Sequence, residues 1–199
     1  MTRVIAGAAG GRRLATAAGR TTRPTSDRTR EGLFATVEAV RGGLAGAAVL
    51  DLYAGSGAVG LEALSRGAAD VLLIESDARA AQVIRHNIAV VGLPGARLVT
   101  DRADRALARG PGGTTRDFVF ADPPYAVSNA DIERILAALV DHAWLAPGAL
   151  VVVERAARSD PLTWPAGYLG DRCRRYGEAV LWYGHAGGPD PAGAHETGA

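Results

Sequence analysis

The sequence predicts an α/β fold with a doubly wound sheet, and three observations support this prediction. Short apolar segments alternate with segments of helical periodicity from about residue 47 to residue 154. A glycine-rich turn follows the first apolar segment, and an acidic residue ends the second. Because strands that alternate with helices pair in parallel through right-handed crossovers, we expect a mostly parallel sheet with helices on both faces.

The N-terminal segment precedes this alternation. A β-like stretch at 3–6 indicates an extended arm or hairpin. Pro24 to Asp27 is a typical helix start, and Gly42-Gly43 is a typical helix end. The residues between them that repeat at helical spacing are Leu33, Phe34, Val37 and Val40. We therefore predict that residues 1–41 form a small N-terminal arm followed by one helix.

Five strands and three helices are predicted in the alternating region. The strands are expected at 48–52, 70–75, 97–99, 118–122 and 149–154. The helices are expected through Leu61 and Leu64, at 78–91 and at 132–139. A last strand-like segment, 174–183, has no helix before it, so we expect an antiparallel C-terminal hairpin in the domain formed by 42–184. Residues 185–199 have little to bury and are expected to be a disordered tail.

Composition is that of a globular chain with an uneven charge distribution. The chain has 199 residues, 48% of them hydrophobic, and no apolar run long enough to cross a bilayer. A single cysteine, Cys173, excludes an internal disulfide and fits a reducing cytoplasm. Residues 1–41 carry eight arginines against three acidic residues, a net charge of +5, whereas the whole chain carries +1, so the remainder carries −4. This separation predicts that the N-terminal arm meets an anion.

The glycine-rich turn indicates an adenosyl cofactor. Gly55, Gly57 and Gly60 match the pattern G-x-G-x-x-G, and Glu75 lies 20 residues beyond Gly55, where an acid binds ribose hydroxyls in Rossmann-like folds. The pattern alone fits either a nicotinamide cofactor or S-adenosylmethionine. Asp51, on the strand before the glycines, favours S-adenosylmethionine, because a carboxylate there would repel a pyrophosphate but suits the cationic methionine half.

A second motif, Asp122-Pro123-Pro124-Tyr125, follows the fourth predicted strand. Two prolines make the backbone rigid and remove two N–H donors, so the segment presents carbonyl oxygens and the Asp122 carboxylate as acceptors. Such acceptors suit an exocyclic –NH₂ group of a base, which they would hold in line with a methyl donor. We expect Tyr125 to stack on a base that has left its stack.

Together these motifs resemble class I amino-methyltransferases of the Asn/Asp-Pro-Pro-Tyr/Phe type, and more closely the RsmD family. The segments that carry the closer resemblance are 3–7, 11–14, 23–31 with Phe34, 52–57, 61–68, 122–125 and 176–178. The resemblance covers about residues 3 to 183. It implies methylation of guanine N2 in a hairpin loop of 16S ribosomal RNA, with S-adenosylmethionine as cofactor. It also implies that residues 1–41 contact RNA, and we expect the partner to be 16S ribosomal RNA in an assembled or assembling 30S particle.

The resemblance implies three sets of site residues. The catalytic set is Asp122, Pro123 and Tyr125. The cofactor set is Asp51, Tyr53, Ala54, Gly55, Ser56, Gly57, Glu75, Ser76, Arg102, Ala103 and Asp122. The substrate set is Arg12, Arg13, Arg23, Thr25, Asp27, Arg28 and Tyr125. Arg102 stands where the family has Asn or Asp, which puts that side-chain contact to adenine in question, and Asp101 is a candidate to replace it.

Two other functions fit parts of the sequence. The same acceptors suit the amine of adenine, so an adenine-N6 methyltransferase acting on DNA or RNA is the alternative enzyme, although no segment is an obvious DNA-recognition domain. A non-catalytic nucleotide-binding module is the alternative of another class. The four histidines show no ligand spacing, so we expect no metal site.

Overall fold

The computed structural model describes residues 2–16 and 26–187 of the chain. Within those ranges the backbone forms nine strands and five α-helices. The strands are β1 (Thr2–Arg3), β2 (Arg13–Leu14), β3 (Ala48–Leu52), β4 (Asp70–Glu75), β5 (Ala96–Thr100), β6 (Arg116–Ala121), β7 (Leu145–Ala156), β8 (Tyr168–Tyr176) and β9 (Ala179–Ala186). The helices are α1 (Asp27–Arg41), α2 (Ala58–Ser65), α3 (Ala78–Val91), α4 (Ala103–Leu107) and α5 (Asn129–Asp141).

Seven of the strands form one sheet in the order β5-β4-β3-β6-β7-β9-β8. The pairs from β5 to β7 are parallel, whereas β9 pairs antiparallel with both β7 and β8. This confirms the predicted Rossmann-like fold with its antiparallel C-terminal hairpin. The order changes direction at β3, and ligands in such sheets bind beyond the carboxyl ends of the strands at that point.

Helices cover both faces of the sheet, which explains the continuous apolar runs in its central strands. On one face, Phe118 and Phe120 of β6 pack in a cluster with residues of α1, α2 and α3. On the other face, Val119 and Ala121 pack in a second cluster with residues of α4 and α5. Alternate residues of one strand therefore belong to different layers, and this alternation decides which side chains share a face.

Helix α1 begins and ends as predicted. The Ser26 side chain accepts a hydrogen bond from the Thr29 backbone N–H, and Gly42 closes the helix with φ of 71°. An N-terminal hydroxyl cap and a left-handed glycine are the usual helix boundaries. None of the helices in the described part of the chain is long and apolar enough to cross a membrane.

The C-terminal hairpin is larger than predicted. The segment predicted as one strand, 174–183, is divided by the turn at Gly177-Glu178, and its two strands reach from Tyr168 to Ala186. Seven consecutive residues of β8, 169–175, are exposed, since β8 lies at the edge of the sheet. Cys173 lies in this exposed stretch. Without alternating burial, the sequence has no periodic signal there. Strand β9 includes residues 185–186 of the predicted tail, and 188–199 lie outside the described residues.

The segment predicted as an N-terminal arm packs against the domain in its first part. Strands β1 and β2 form a short antiparallel hairpin, as predicted, and the core cluster on the α1 face includes Val4, Ala9 and Leu14. The fully buried Glu62 carboxylate of α2 accepts hydrogen bonds from the backbone N–H of Ile5 at 2.6 Å and of Ala6 at 3.0 Å. Residues 2–16 are therefore anchored to α2.

Candidate functional site

Three carboxylates lie at the carboxyl ends of three neighbouring strands. Asp51 is on β3, Glu75 ends β4 and Asp122 follows β6. In the parallel register Leu52 pairs with both Ile74 and Ala121, so Glu75 and Asp122 come next on either side of β3. Strand alternation places all three on the face that packs against α2 and α3.

Asp51 is the most buried of these acids, with 2% of its surface exposed. One carboxylate oxygen accepts the Gly60 N–H at 2.8 Å. Burial raises the pKa of Asp51 to about 7; the Gly60 hydrogen bond opposes this, and the charges of Asp122 and Glu75 add to it. Three neighbouring carboxylates form a region that a cationic ligand would stabilise.

The glycine-rich turn holds Glu75 in place. Glu75 is buried, and its two oxygens accept the backbone N–H groups of Gly55 and Asp77, each at 2.8 Å. Gly57 needs to be glycine for two reasons: its φ is 77°, and a methyl group there would lie 3.0 Å from the Leu73 side chain. Tyr53 also has a positive φ, 60°, which is rare outside glycine and common at functional sites.

A buried asparagine joins this turn to the N-terminal segment. The Asn87 side-chain amide of α3 donates to the Ser56 carbonyl at 2.8 Å and to the Ala15 carbonyl at 3.0 Å, and its oxygen accepts the Ala15 N–H at 2.8 Å. The backbone at Ala15 is therefore one side chain away from the glycine turn. Nothing in the local sequence pattern distinguishes Asn87 from any other polar helix residue.

One cavity, here called the cofactor cavity, lies beside the turn and has a volume of about 510 Å³. It is lined by Tyr53, Ser76, Arg102, Ala103, Asp104, Pro124, Val127, Asp131, Arg134, Ile135 and Ala138. Four residues of the predicted cofactor set, Tyr53, Ser76, Arg102 and Ala103, thus meet here. Ala54, Gly55, Ser56 and Gly57 lie in the adjacent turn between β3 and α2.

The position where Arg102 departs from the family pattern has its own ion pair. The Arg102 guanidinium forms two hydrogen bonds of 3.0 Å with the Asp104 carboxylate. Asp101, the candidate replacement, bonds the Arg102 backbone N–H and the Arg109 side chain and is absent from the residues that line the cavity. In this conformation, then, the local carboxylates are engaged with arginines.

A buried arginine outside the predicted site residues supports the Asp-Pro-Pro-Tyr segment through Val127. Arg155 of β7 is 6% exposed and donates from Nη2 to the Val127 carbonyl at 3.0 Å. Burial lowers the Arg155 pKa, and the charge of Asp122 opposes that shift. Val127 in turn donates its N–H to the Pro124 carbonyl at 2.9 Å. An arginine shortly after an apolar run in a predicted strand was the available signal.

A second cavity of about 340 Å³, here called the outer cavity, lies on the other side of that segment. It is lined by Ser26, Arg28, Thr29, Tyr125, Glu154, Arg175, Tyr176, Gly177, Glu178 and Ala179. Pro124 lines the first cavity and Tyr125 the second, so the Asp-Pro-Pro-Tyr segment separates them. Tyr125 is 50% exposed, and the Arg158 guanidinium lies over its ring, 6.0 Å from the ring centroid.

The predicted substrate residues are only partly brought together. Arg28 lines the outer cavity with Tyr125. Asp27 pairs with the buried Arg30 at 2.7 Å, and Arg12 donates to the Val90 and Val91 carbonyls at the end of α3. Arg13 is exposed on β2, away from both lining sets, and Arg23 and Thr25 lie outside the described residues. The outer cavity also contains three residues outside the predicted sets, Glu154, Arg175 and Glu178.

Metal binding has no support among these side chains. Among residues 2–16 and 26–187, no three His, Cys, Asp or Glu side chains are grouped so that they could hold a metal ion.

Comparison with known proteins identifies the relatives of this chain. The family model described as "Conserved hypothetical protein 95" matches residues 2–185. The chain is 40% identical over 166 residues to "Ribosomal RNA small subunit methyltransferase D" of Escherichia coli (strain K12), which covers 83% of this chain and 80% of the relative. It is 34% identical over 154 residues to "Putative rRNA methyltransferase YlbH" of Bacillus subtilis (strain 168), covering 76% and 81% of the two chains.

Solved structures agree with this relationship. A "putative methyltransferase yhhF" from Escherichia coli superposes with a TM-score of 0.79 at 35% identity, covering 94% of this chain and 98% of that one. A more distant fold relative, a putative methyltransferase complexed with S-adenosylhomocysteine (SAH), superposes with a TM-score of 0.60 at 13% identity and covers 75% and 47% of the two chains.

Proposed function

The chain belongs to the RsmD family of S-adenosylmethionine-dependent methyltransferases, and from this premise we propose that it methylates the N2 amine of one guanine in 16S ribosomal RNA. The observation that carries the proposal is the Asp-Pro-Pro-Tyr segment between two cavities, one beside the glycine turn and one beside α1. The names of the relatives support ribosomal RNA of the small subunit as the substrate.

The residues around the first cavity fit the methyl donor. S-Adenosylmethionine supplies, when bound, an electrophilic methyl group on a cationic sulfonium. We assign the ribose hydroxyls to Glu75 and the cationic methionine half to Asp51. The pKa of Asp51 is raised, and a positive charge beside it would stabilise its ionised form. Tyr53, Ser76 and Ala103 would line the adenine, with the backbone of 54–57 close to the methionine half.

The chain's own acceptors then hold the amine. An exocyclic amine shares its lone pair with the ring and is a weak nucleophile, so its position decides the rate. Asp122 and the Pro123 carbonyl would each accept one N–H of that amine, which turns the lone pair toward the methyl group. Asp122 would also take the proton that the nitrogen loses when it is methylated.

The outer cavity would receive the base itself. A base must leave its stack before its amine can reach Asp122, and an aromatic ring partly compensates for the lost stacking. We assign this role to Tyr125, which is half exposed at the wall of that cavity. Arg28 at the same wall would contact a phosphate, and the +5 charge of residues 1–41 would add attraction for RNA. We keep Arg12, Arg13, Arg23, Thr25 and Asp27 as members of the proposed RNA-contacting segment.

The test is transfer of labelled methyl to purified 30S particles and, separately, to protein-free 16S RNA, followed by nucleoside analysis. We expect N2-methylguanosine, with transfer to the particle exceeding transfer to free RNA because ribosomal proteins present the loop. Such a reaction would take place in the cytoplasm. N6-methyladenosine as the product would overturn the guanine assignment. Calorimetric binding of NAD but not S-adenosylmethionine would favour the non-catalytic alternative.

A further inference from the structure

The row of carboxylates at the sheet edge has a fourth member on the strand beyond Asp122. In the parallel register of β6 and β7, Ala121 pairs with Val153, so Asp122 and Glu154 are the next residues on the two strands. Adjacent strands lie about 4.8 Å apart, so the two backbone positions are neighbours.

Glu154 also lies on the same face as Asp122. Leu150 and Val152 of β7 pack in the cluster that contains Phe118 and Phe120, two and four residues before Asp122. Because side chains alternate along a strand, Glu154 continues the face of Val152, and Asp122 continues the face of Phe120. Arg155, the next residue, points to the opposite layer, where it bonds Val127.

The cavity to which Glu154 belongs is the outer one. Glu154 lines it together with Tyr125, whereas the cofactor cavity has Pro124 and no part of β7 in its wall. Glu154 is half-buried. A base stacked on Tyr125 with its amine at Asp122 would have one of the two ring atoms that flank the amine toward β7.

The ring atom next to the amine distinguishes guanine from adenine. In guanine, the N2 amine lies between N1–H, which is a donor, and N3, which carries a lone pair. In adenine, the N6 amine lies between N1, which carries a lone pair, and C5, so neither flanking atom is a donor. An ionised glutamate is only an acceptor, so it bonds the N1–H of guanine and repels the N1 lone pair of adenine.

We propose that Glu154 accepts the N1–H of the flipped guanine and thereby selects guanine over adenine. This inference rests on the proposed function, since it assumes a base amine at Asp122. It makes Glu154 a specificity-determining residue: Asp122 and Pro123 grip any exocyclic amine, and Glu154 identifies which base carries it. A site built to bond a specific N–H can reject an analogue that lacks it by about 10⁴-fold.

The experiment uses 2-aminopurine at the target position of the 16S RNA, assembled into 30S particles and compared with guanine. This base keeps the N2 amine but carries a lone pair at N1 and has no oxygen at C6. For the wild-type enzyme we expect kcat/KM to fall at least about 100-fold with 2-aminopurine. Equal kcat/KM for the two bases would overturn the inference with no variant needed.

The decisive measurement is the ratio of kcat/KM for guanine to kcat/KM for 2-aminopurine, compared between wild type and Glu154→Gln. A glutamine amide can donate to the lone pair at N1, so the guanine-to-2-aminopurine ratio should fall at least tenfold, with S-adenosylmethionine affinity unchanged. The effect of losing the C6 oxygen is the same for wild type and variant, so it cancels when their ratios are compared. Glu178→Gln, which removes another carboxylate from the same cavity, is the matched control and should leave the ratio unchanged.

The outcomes separate the two proposals. If E154Q lowers kcat/KM equally for both bases, or changes neither, Glu154 has no part in reading N1 and the inference is wrong. If wild-type enzyme transfers no methyl to guanine in any ribosomal RNA, the proposed function fails and the ratio has no meaning.

Discussion

The two cavities on either side of the Asp-Pro-Pro-Tyr segment are made from different parts of the chain. The cofactor cavity is lined by residues of the alternating strand–helix region, from Tyr53 to Ala138. The outer cavity is lined by the start of α1, by Tyr125 and Glu154, and by residues 175–179 of the C-terminal hairpin. Its walls therefore come largely from the two additions that flank the alternation.

The charges around the cavities differ in the same sense. At the cofactor cavity, Arg102 pairs with Asp104 and Arg134 pairs with Asp131, and all four residues line its wall. At the outer cavity, none of the salt bridges in the described part of the chain involves Arg28 or Arg175. Arg175 donates from Nε to the Gly177 carbonyl at 2.9 Å, and since an arginine has five N–H donors it can also contact a phosphate. From this comparison we propose that the alternating region carries out the chemistry and that the two additions recognise the RNA.

The largest effect should come from the residue between the cavities. Asp122→Ala removes an acceptor that positions the amine, so we expect kcat to fall by about 10²–10³-fold, in the range seen when one positioning hydrogen bond is lost at an active site. The Kd for S-adenosylmethionine should change only a few-fold. Single-turnover methylation and calorimetry measure the two quantities. Equal losses in both would mean that Asp122 is chiefly a cofactor ligand.

An intermediate effect should come from the outer cavity alone. Arg28→Ala combined with Arg175→Ala should weaken RNA binding about tenfold and reduce the salt dependence of log K by about one unit per arginine, with cofactor affinity unchanged. Filter binding of 16S RNA across a salt series tests this. Arg134→Ala, which alters the rim of the cofactor cavity, is the matched control and should leave the salt slope intact. If Arg134→Ala reduced the salt slope as much as the double variant does, RNA binding would not be specific to the outer cavity.

The smallest effect should come from pH, through the Asp51 carboxylate on β3. The pKa of Asp51 is about 7 in the folded protein, and a cationic ligand favours its charged form, so binding releases a proton. The affinity for S-adenosylmethionine should then fall about threefold from pH 7.5 to pH 6.5, as one-proton linkage requires. Asp51→Asn should flatten this dependence, while RNA binding should show the same pH profile in both enzymes.

Asp51 should also affect how stability depends on pH. Its raised pKa gives the direction of the change in the free energy of unfolding. The folded state of the cofactor-free protein holds the Asp51 proton more tightly than the unfolded chain. The free energy of unfolding should therefore decrease as pH rises from about 4 to about 7. Above about pH 7, Asp51 should cause no further change in it. Denaturant melts of wild type and D51N at several pH values test this, and identical profiles would contradict it.

Most of the secondary structure followed from local pattern. Strands β3 and β4 and helix α3 have the predicted bounds, because their apolar periodicity, caps and glycines lie within a few residues of one another. Helix α4, of five residues, is too short to show a period. Strand β8 has seven exposed residues in a row, and an edge strand of that kind carries no alternating signal.

The sequence by itself determined the fold class, the family and the chemical groups at the carboxyl ends of β3, β4 and β6. Each of these depends on residues close together in the chain. Only the tertiary structure decided that Asp27 is paired with Arg30, that Arg155 holds the loop after Asp122, and that Glu154 lies beside Asp122. These relations depend on strand register and on helix packing between distant segments. Local periodicity does not specify which residues of two distant segments will be neighbours.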